Sequence, residues 1–293
     1  ILLKDYKTIT LDEQDSVAVL KLNRPEKLNA FNMQMLEDML DAIDYVDAHD
    51  RLKSLVISGS GRAFCAGADL SSGEKTFDKS FDTRGRFESD FRRDAGGILA
   101  LRIYNSLKPV IAACNGDAVG VGATMQLAAD IRVAHKSARY GFVFARRGIV
   151  PDGCASWFLP KLVGVSKSLE LCYSGELFSA EEGHKYGLVN YLVDDEEELI
   201  KTAIQLAKKF TDNSAQVSVA MTRHMLWNYS SDIDPENAHV MESKLIDFRG
   251  ASDDAKEGVM SFLEKRKPNF TNKISKDFPA FFPWRESKFN DEN

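Results

Sequence analysis

The hydrophobic pattern of the first sixty residues predicts a hairpin, a helix and a buried strand. Residues 7–12 and 17–22 alternate between apolar and polar positions, and polar residues 13–16 separate them, which predicts a β-hairpin. Asn32 then precedes apolar residues at helical spacing, which predicts a capped helix (Leu36, Met39, Leu40, Ile43 and Val46). Residues 53–58 read as a buried strand that ends in a Gly-Ser-Gly turn.

The next hundred residues repeat one order of elements. A helical pattern (GGILALRIYNSL) leads into an apolar strand (VIAAC), a glycine-rich turn (NGDAVGVG) and an apolar segment (ATMQLAA) that we predict as a helix. A similar order of elements follows, with the segment DIRVAH, the strand-like ARYGFVF, the turn RRGIVPDG and the helical ASWFLPKLVG. Strand, strand and helix in succession predict an α/β fold of stacked ββα turns rather than a doubly wound sheet.

The pattern becomes purely helical from about residue 195. Apolar periodicity predicts helices over 195–210, 214–227, 235–249 and 252–266. We therefore expect a core domain over residues 1–200, a helical region over 201–270 and an aromatic-rich tail over 271–293. Docking of the tail on a partner subunit and a freely extended tail are equally compatible with its sequence.

Composition and charge narrow the class of protein. Of 293 residues, 44% are hydrophobic and 28% are charged, which is typical of a folded globular chain. The net charge of −6 and an acidic stretch at 32–50 without Lys or Arg argue against nucleic acid as a partner, RNA included. We expect no membrane partner either, because no apolar run approaches the roughly 20 residues that span a bilayer.

The cysteines indicate a reducing compartment and no metal site. The four cysteines lie far apart, form no C-x-x-C pair and do not cluster with the histidines (Cys65, Cys114, Cys154 and Cys172). Reduced thiols are compatible with the peroxisome, which we favour, and also with the mitochondrial matrix or a bacterial cytoplasm.

Two glycine turns are the candidates for chemistry. The segments 66–70 (AGADL) and 120–122 (GVG) place small residues where backbone N–H groups can meet a ligand oxygen. Two such donors converging on one oxygen would form an oxyanion hole. The alternative is that these glycines merely permit tight turns. A phosphate-binding loop and a Gly-x-Ser-x-Gly nucleophile are not found in the sequence.

Five segments in the same order along the chain carry a family resemblance. They are NRPEKLNAF (23–31), GRAFCAGADL (61–70), KPVIAACNGDAVGVG (108–122), GIVPDGCASWFLPKLVG (148–164) and DDAKEGVMSFLEKRKPNF (253–270). The chain resembles the crotonase, or enoyl-CoA hydratase/isomerase, superfamily over roughly residues 5–270. The resemblance implies a spiral of ββα turns with a C-terminal helical trimerisation region, assembled as a homotrimer or a dimer of trimers.

The resemblance also implies a substrate and the residues that bind it. The substrate would be an acyl-CoA thioester, so that coenzyme A enters as part of the substrate and no separate cofactor is needed. The N–H groups of Ala66 and Val121 would hold the thioester oxygen. The resemblance places coenzyme A or the acyl chain near eight further residues, of which Phe262 would come from a neighbouring subunit (Lys27, Ala68, Asp69, Leu70, Gly122, Phe144, Phe262 and Lys265).

Departures from the family pattern decide the expected reaction. Family hydratases carry two glutamates where this chain has Thr124 and Phe144, and neither residue can act as a general base. Asp152 aligns with the single carboxylate of the family's isomerases. We therefore expect a Δ3 to Δ2 enoyl-CoA isomerase of fatty-acid β-oxidation, with Asp152 as proton shuttle and Phe144 narrowing the acyl pocket.

Other interpretations remain open at the level of sequence. Asp152 lies in Pro-Asp-Gly, a strong turn sequence, and the carboxylate of Asp117 could position a water molecule. The alternatives are therefore hydration at a non-standard site, nucleophilic attack by Asp152, or an acyl-CoA-binding member of the family that does not catalyse a reaction.

Overall fold

The computed structural model describes residues 1–77 and 93–283. Within them, eleven strands form a seven-stranded and a four-stranded sheet. The strands are β1 (Leu2–Lys4), β2 (Ile9–Gln14), β3 (Val17–Leu22), β4 (Ser54–Gly59), β5 (Ala63–Cys65), β6 (Val110–Cys114), β7 (Asp117–Val119), β8 (Ile131–His135), β9 (Arg139–Gly141), β10 (Leu177–Ser179) and β11 (Tyr191–Val193).

Successive strand pairs confirm the stacked ββα turns. The large sheet has the order β1-β2-β3-β4-β6-β8-β11 and the small sheet the order β10-β9-β7-β5. Each pair β4/β5, β6/β7 and β8/β9 places one strand in each sheet, and the three pairs lie side by side in parallel. Because β5 and β7 are parallel neighbours, the glycine turns that follow them emerge at the same edge of the small sheet.

The hairpin is longer than the sequence pattern predicted. The ladder between β2 and β3 continues to the pair Gln14 and Val17, so the turn has two residues rather than four. Asp15 and Ser16 both have positive φ, 51° and 66°, as a tight turn between twisted strands requires.

Eleven helices accompany the sheets in the described residues. They are α1 (Met33–Ala48), α2 (Ala95–Tyr104), α3 (Val121–Thr124), α4 (Ala155–Val163), α5 (Val165–Ser174), α6 (Ala180–Tyr186), α7 (Glu196–Thr211), α8 (Gln216–Tyr229), α9 (Pro235–Gly250), α10 (Asp253–Leu263) and α11 (Ile274–Asp277). As predicted, Asn32 caps α1, where its side chain accepts a hydrogen bond from the Met35 N–H.

The helix predicted over 123–129 is the main disagreement in secondary structure. Regular helix ends at Thr124, and tighter turns follow, with the Leu127 N–H donating to Thr124 O. The buried guanidinium of Arg132 donates to the carbonyl oxygens of Gln126 and Ala129. These carbonyls therefore have a tertiary partner and do not need the helical one.

The predicted domain boundary at residue 200 falls inside α7. This helix packs its apolar face on strands β4, β6 and β8 of the large sheet, with Leu199, Ala203 and Ala207 buried. It belongs to the core, so the helices that stand apart from the sheets begin with α8.

The first part of the tail packs on its own chain. Ile274 is buried in a small cluster with Val217 and Met221 of α8, and Phe278 packs against the same cluster. The Ser275 N–H donates to the Asp50 carboxylate. Residues 271–283 therefore do not extend freely, whereas residues 284–293 lie outside the described residues.

Candidate active site

The two glycine turns of the sequence meet in space. A Cβ atom built on Gly120 would lie 3.9 Å from the Gly67 Cα, and one built on Gly67 would lie 3.3 Å from Val119 O. The next glycine, Gly122, is pressed even more closely on β5, where a Cβ would lie 2.1 Å from Cys65 O. A side chain at position 122 would separate the two turns, so the small residues here bring two stretches of backbone together.

The backbone hydrogen bonds decide which N–H groups face the site. The Ala66 N–H donates to Leu28 O at 3.0 Å and is not available to a ligand, so the structure contradicts our assignment of Ala66 as a donor. In the described parts of the chain, neither the Ala68 N–H nor the Val121 N–H has an acceptor. Ala68 therefore replaces Ala66 as the candidate donor on the first glycine turn, and Val121 stays the candidate on the second.

Asp69 fixes the turn that carries Ala68. Its Oδ2 accepts a hydrogen bond from Arg24 Nη2 at 2.8 Å, and its Oδ1 accepts from the Ser71 hydroxyl and N–H. The hydrogen bond from the Ser71 side chain, together with the Arg24 guanidinium, lowers the pKa of Asp69 to about 2. These contacts hold the Asp69 side chain in the turn, and its contact with a substrate stays a prediction.

The Asp152 carboxylate lies beside the Val121 turn. Its Oδ1 accepts a hydrogen bond from Thr124 Oγ1 at 2.6 Å. A Cβ atom built on Gly96, in the first turn of α2, would lie 3.1 Å from Asp152 Oδ2 and 3.2 Å from Val121 Cγ2. The carboxylate, the Val121 side chain and the start of α2 therefore pack closely together, and glycine at position 96 permits this approach.

Asp94 joins the Asp152 loop to α2, and our sequence reasoning missed it. Its carboxylate caps α2 by accepting from the N–H groups of Gly96 and Gly97, and it also accepts from the Gly153 N–H at 3.3 Å. The available signal was an Asp immediately before a helix that begins Ala-Gly-Gly, which is a typical N-cap sequence.

Comparison with known proteins agrees with this arrangement. Residues 12–273 match the enoyl-CoA hydratase/isomerase family. The enoyl-CoA hydratase AKT3-2 of Alternaria alternata is 43% identical over 88% of this chain and 84% of that protein. The 1,2-epoxyphenylacetyl-CoA isomerase of Escherichia coli is 35% identical over 89% of this chain and 97% of that protein.

The chain belongs to the enoyl-CoA hydratase/isomerase family.

A solved structure also shares the crotonase fold. A probable enoyl-CoA hydratase/isomerase from Mycobacterium abscessus superimposes with a TM-score of 0.80 and 29% identity, over 90% of this chain and 99% of that one. The ββα spiral predicted from five segments is therefore confirmed, and the protein is an enzyme of this acyl-CoA family.

At the two positions where family hydratases carry glutamate, this chain has buried side chains. Thr124 is fully buried and donates to Asp152, and Phe144 is buried in the core at the start of a short 3-10 helix. Arg139 donates to both carboxylate oxygens of Asp117. This ion pair favours a structural role for Asp117 over the positioning of a water molecule.

The two cysteines near Asp152 are neutral at ordinary pH. Burial raises the pKa of Cys65 to about 12, and the negative charge of Asp152 adds to the effect. Burial and the charges of Asp94 and Asp152 also raise the pKa of Cys154. Neither thiol therefore provides a thiolate nucleophile, and both serve as small packing side chains.

The residues expected to hold coenzyme A fall into two groups. Lys27 is exposed in the loop whose Leu28 carbonyl binds Ala66, and Leu70 is 54% exposed at the end of the Ala68 turn. Phe262 is 82% exposed on α10, and Lys265 is exposed directly after that helix, which packs against α9. The first group lies beside the glycine turns, whereas the second is on a separate helical element.

Neither a metal cluster nor a membrane-spanning helix is found in the described residues. In the described ranges, no group of three or more His, Cys, Asp or Glu side chains is placed to hold a metal ion. Among the helices that the structure describes, none has the length and apolar character needed to cross a membrane.

Proposed function

We propose that this protein is a Δ3 to Δ2 enoyl-CoA isomerase of fatty-acid β-oxidation, in which Asp152 carries the proton. The observations that carry the proposal are a carboxylate held by Thr124 at the end of the Val121 turn, and two N–H groups on the neighbouring glycine turns, those of Ala68 and Val121, that have no acceptor among the described residues. The acyl-CoA thioester is the substrate, and coenzyme A is part of it.

The proposed reaction needs only one acid–base group. Asp152 takes a proton from C2 of the 3-enoyl thioester, and the electron pair of the broken C–H bond delocalises over C4 and the thioester oxygen. The N–H groups of Ala68 and Val121 donate to this oxygen as its charge develops. Protonated Asp152 then returns the proton to C4, which leaves the double bond between C2 and C3 and restores the carboxylate.

The surroundings of Asp152 favour isomerisation over hydration. Adding water across a double bond requires a group that deprotonates water and a group that protonates the α-carbon. Thr124 and Phe144 can do neither, and Asp94 accepts three backbone N–H groups. The E. coli relative named as an isomerase of a CoA thioester supports the same conclusion.

Hydration is the second candidate, because a relative named as an enoyl-CoA hydratase is 43% identical. In that case Asp152 would activate water and the proton would reach C2 by way of the solvent. The two reactions differ in whether oxygen from water enters the product.

We further propose that the protein works as a homotrimer or a dimer of trimers. Apolar side chains on α9 and α10 are exposed in the single chain, which is the surface that an interface between copies would bury (Val240, Ile246, Val259, Met260, Phe262 and Leu263). In a trimer, Phe262 and Lys265 of one subunit would complete the coenzyme A site of another.

The test compares Asp152→Asn with Asp117→Asn on a 3-enoyl-CoA substrate. Both changes remove one carboxylate charge, but Asp117 is bound by Arg139 in the structure. We expect Asp152→Asn to lower kcat by about 100- to 10,000-fold and Asp117→Asn to leave it within a few-fold. Conversion is measured by formation of the conjugated 2-enoyl thioester.

Isotope labelling separates the two reactions. In H2¹⁸O, an isomerase converts 3-enoyl-CoA to 2-enoyl-CoA without label, whereas a hydratase leaves 3-enoyl-CoA unchanged and converts 2-enoyl-CoA to a labelled 3-hydroxyacyl-CoA. Full activity of Asp152→Asn would refute the role of Asp152, and a labelled product as the main one would replace isomerisation with hydration.

A further inference from the structure

Thr124 makes one strong polar contact, and that contact is with Asp152. The threonine is fully buried in the first turn after the Gly120 loop. Its Oγ1 lies 2.6 Å from Asp152 Oδ1 and 3.4 Å from Val121 O. A hydroxyl has one proton to donate, and the carboxylate is both the nearer and the charged acceptor, so it receives the hydrogen bond.

Close packing of the Asp152 loop on Thr124 keeps the two hydrogen-bond partners together. Gly153 follows Asp152 with φ of 63°, and a Cβ atom built on it would lie 2.6 Å from Thr124 Oγ1 and 2.8 Å from Thr124 Cβ. The loop that carries Asp152 is therefore seated directly on the threonine. The hydrogen bond from the Gly153 N–H to Asp94 ties the same loop to α2.

The position of Oδ2 shows what the bond achieves. With Oδ1 bound to Thr124, Oδ2 is directed at the first turn of α2, where a Cβ atom built on Gly96 would lie 3.1 Å from it. Rotation about the Cβ–Cγ bond of Asp152 would break the hydrogen bond to Thr124 and move Oδ2 away from this position. A hydroxyl that donates to a carboxylate also favours its ionised form, which is the form that removes a proton.

We propose that Thr124 is the positioning residue for Asp152, whose carboxylate it holds in one rotamer and in the ionised state before the substrate binds. This inference rests on the proposed role of Asp152 as the base. It gives position 124 a function in this chain, because the hydroxyl acts through a second residue instead of contacting the substrate.

The test leaves the charged and titratable groups described near the Asp152 loop unchanged. They include Asp94, which binds Gly153 of the same loop, Cys65 in β5, and Cys154, on which the charge of Arg93 also acts. A shift in the pH profile of a Thr124 variant therefore reports the loss of the hydroxyl.

The experiment compares Thr124→Val, which keeps the shape and removes the hydroxyl, with Thr124→Ser, which keeps the hydroxyl. We expect Thr124→Val to lower kcat by about 10- to 100-fold, the value of one hydrogen bond to a charged group, with little change in KM. We also expect the acidic limb of its pH–rate profile to move to higher pH, because the ionised carboxylate loses a donor. Thr124→Ser should restore both the rate and the profile.

Three outcomes would overturn the proposal. They are a Thr124→Val variant with the wild-type rate and pH profile, a Thr124→Ser variant as slow as Thr124→Val, and a loss confined to KM. Thermal melting monitors folding, and if Thr124→Val does not fold, Thr124→Cys replaces it, since a thiol is only a weak donor.

The Asp152→Asn variant separates this proposal from the proposed function. If Asp152→Asn is inactive and Thr124→Val is normal, only the role of Thr124 is refuted. If Asp152→Asn is fully active, the role of Asp152 is refuted as well. When both proposals hold, Thr124→Val added to Asp152→Asn lowers the residual rate no further.

Discussion

Helices α1 and α9 have the same length of 16 residues but opposite relations to the rest of the chain. Helix α1 buries seven side chains against the large sheet and α2, whereas α9 buries only Leu245. Ile246 on α9 is 72% exposed, although its side chain is as apolar as that of Ile43, which is fully buried on α1. The apolar surface of α1 is satisfied inside one chain, and that of α9 is not.

This difference in packing separates the region that holds the candidate site from the region that we propose forms the contact between copies. The turns of Ala68, Val121 and Asp152 lie in the region that packs on itself, where backbone contacts and buried side chains fix them. The C-terminal helices keep exposed apolar side chains, the surface that we propose another copy covers. The site thus depends on tight internal packing, and the proposed assembly depends on its absence.

The largest difference between the two regions should appear when one methyl group is added to a glycine in each. In Gly122→Ala the new Cβ would lie 2.1 Å from Cys65 O, while Gly250 of α9 has open space at the same position. We expect Gly122→Ala to separate the glycine turns and lower kcat by at least about 100-fold. Gly250→Ala should keep the activity and change the free energy of unfolding by no more than about 1 kcal/mol.

Activity assays and urea denaturation of both variants check this prediction. An active Gly122→Ala variant would show that the contact between the turns and β5 is not needed for catalysis.

The next effect compares truncation of a buried and an exposed apolar side chain. Leu36 of α1 is fully buried, so Leu36→Ala should lower the free energy of unfolding by about 2–5 kcal/mol. Ile246→Ala should change that of a dilute, unassembled chain by less than about 0.5 kcal/mol. It should instead weaken self-association in sedimentation experiments. Equal losses of unfolding free energy in the two variants would erase the distinction between the helices.

The smallest effect concerns acid and a buried histidine of the C-terminal helices. His224 of α8 packs edge-on against Phe282 of the tail, and burial, together with the charge of Arg223, lowers the pKa of His224 to about 4. Between the usual pKa of about 6.5 and this value, the unfolded chain binds a proton that the folded chain does not. Stability from this group is therefore complete above pH 6.5 and falls as the pH is lowered, by up to about 1.4 kcal/mol per unit.

Urea denaturation from pH 7 to pH 5 measures this slope. His224→Gln removes the titrating group, so its unfolding free energy should depend less on pH over the same range. An identical pH dependence in the variant and the wild type would show that His224 contributes nothing to acid sensitivity.

Local sequence was a good guide where local chemistry decides the structure. The Asn32 cap, the apolar face of α1 and the strand-strand-helix order each follow from the spacing of residues close in the chain. The short helix at Val121–Thr124 was not predictable in this way, because Arg132 binds the carbonyl oxygens that a longer helix would have used.

The site was predicted in outline and corrected in detail. Val121 and Asp152 lie together as expected, but the Ala66 N–H is used by Leu28 O and Ala68 offers the open one. The two alanines are alike in sequence and both follow strand β5. Only the partner across the turn distinguishes them.

The sequence alone determined the ββα spiral, the acyl-CoA family and the identity of the acid at position 152, because each depends on residue type and spacing. The tertiary structure decided which backbone amides remain available, that Thr124 donates to Asp152, and that glycine at position 96 lets α2 approach the Asp152 carboxylate. These features depend on contacts between segments far apart in the chain, which local spacing does not encode.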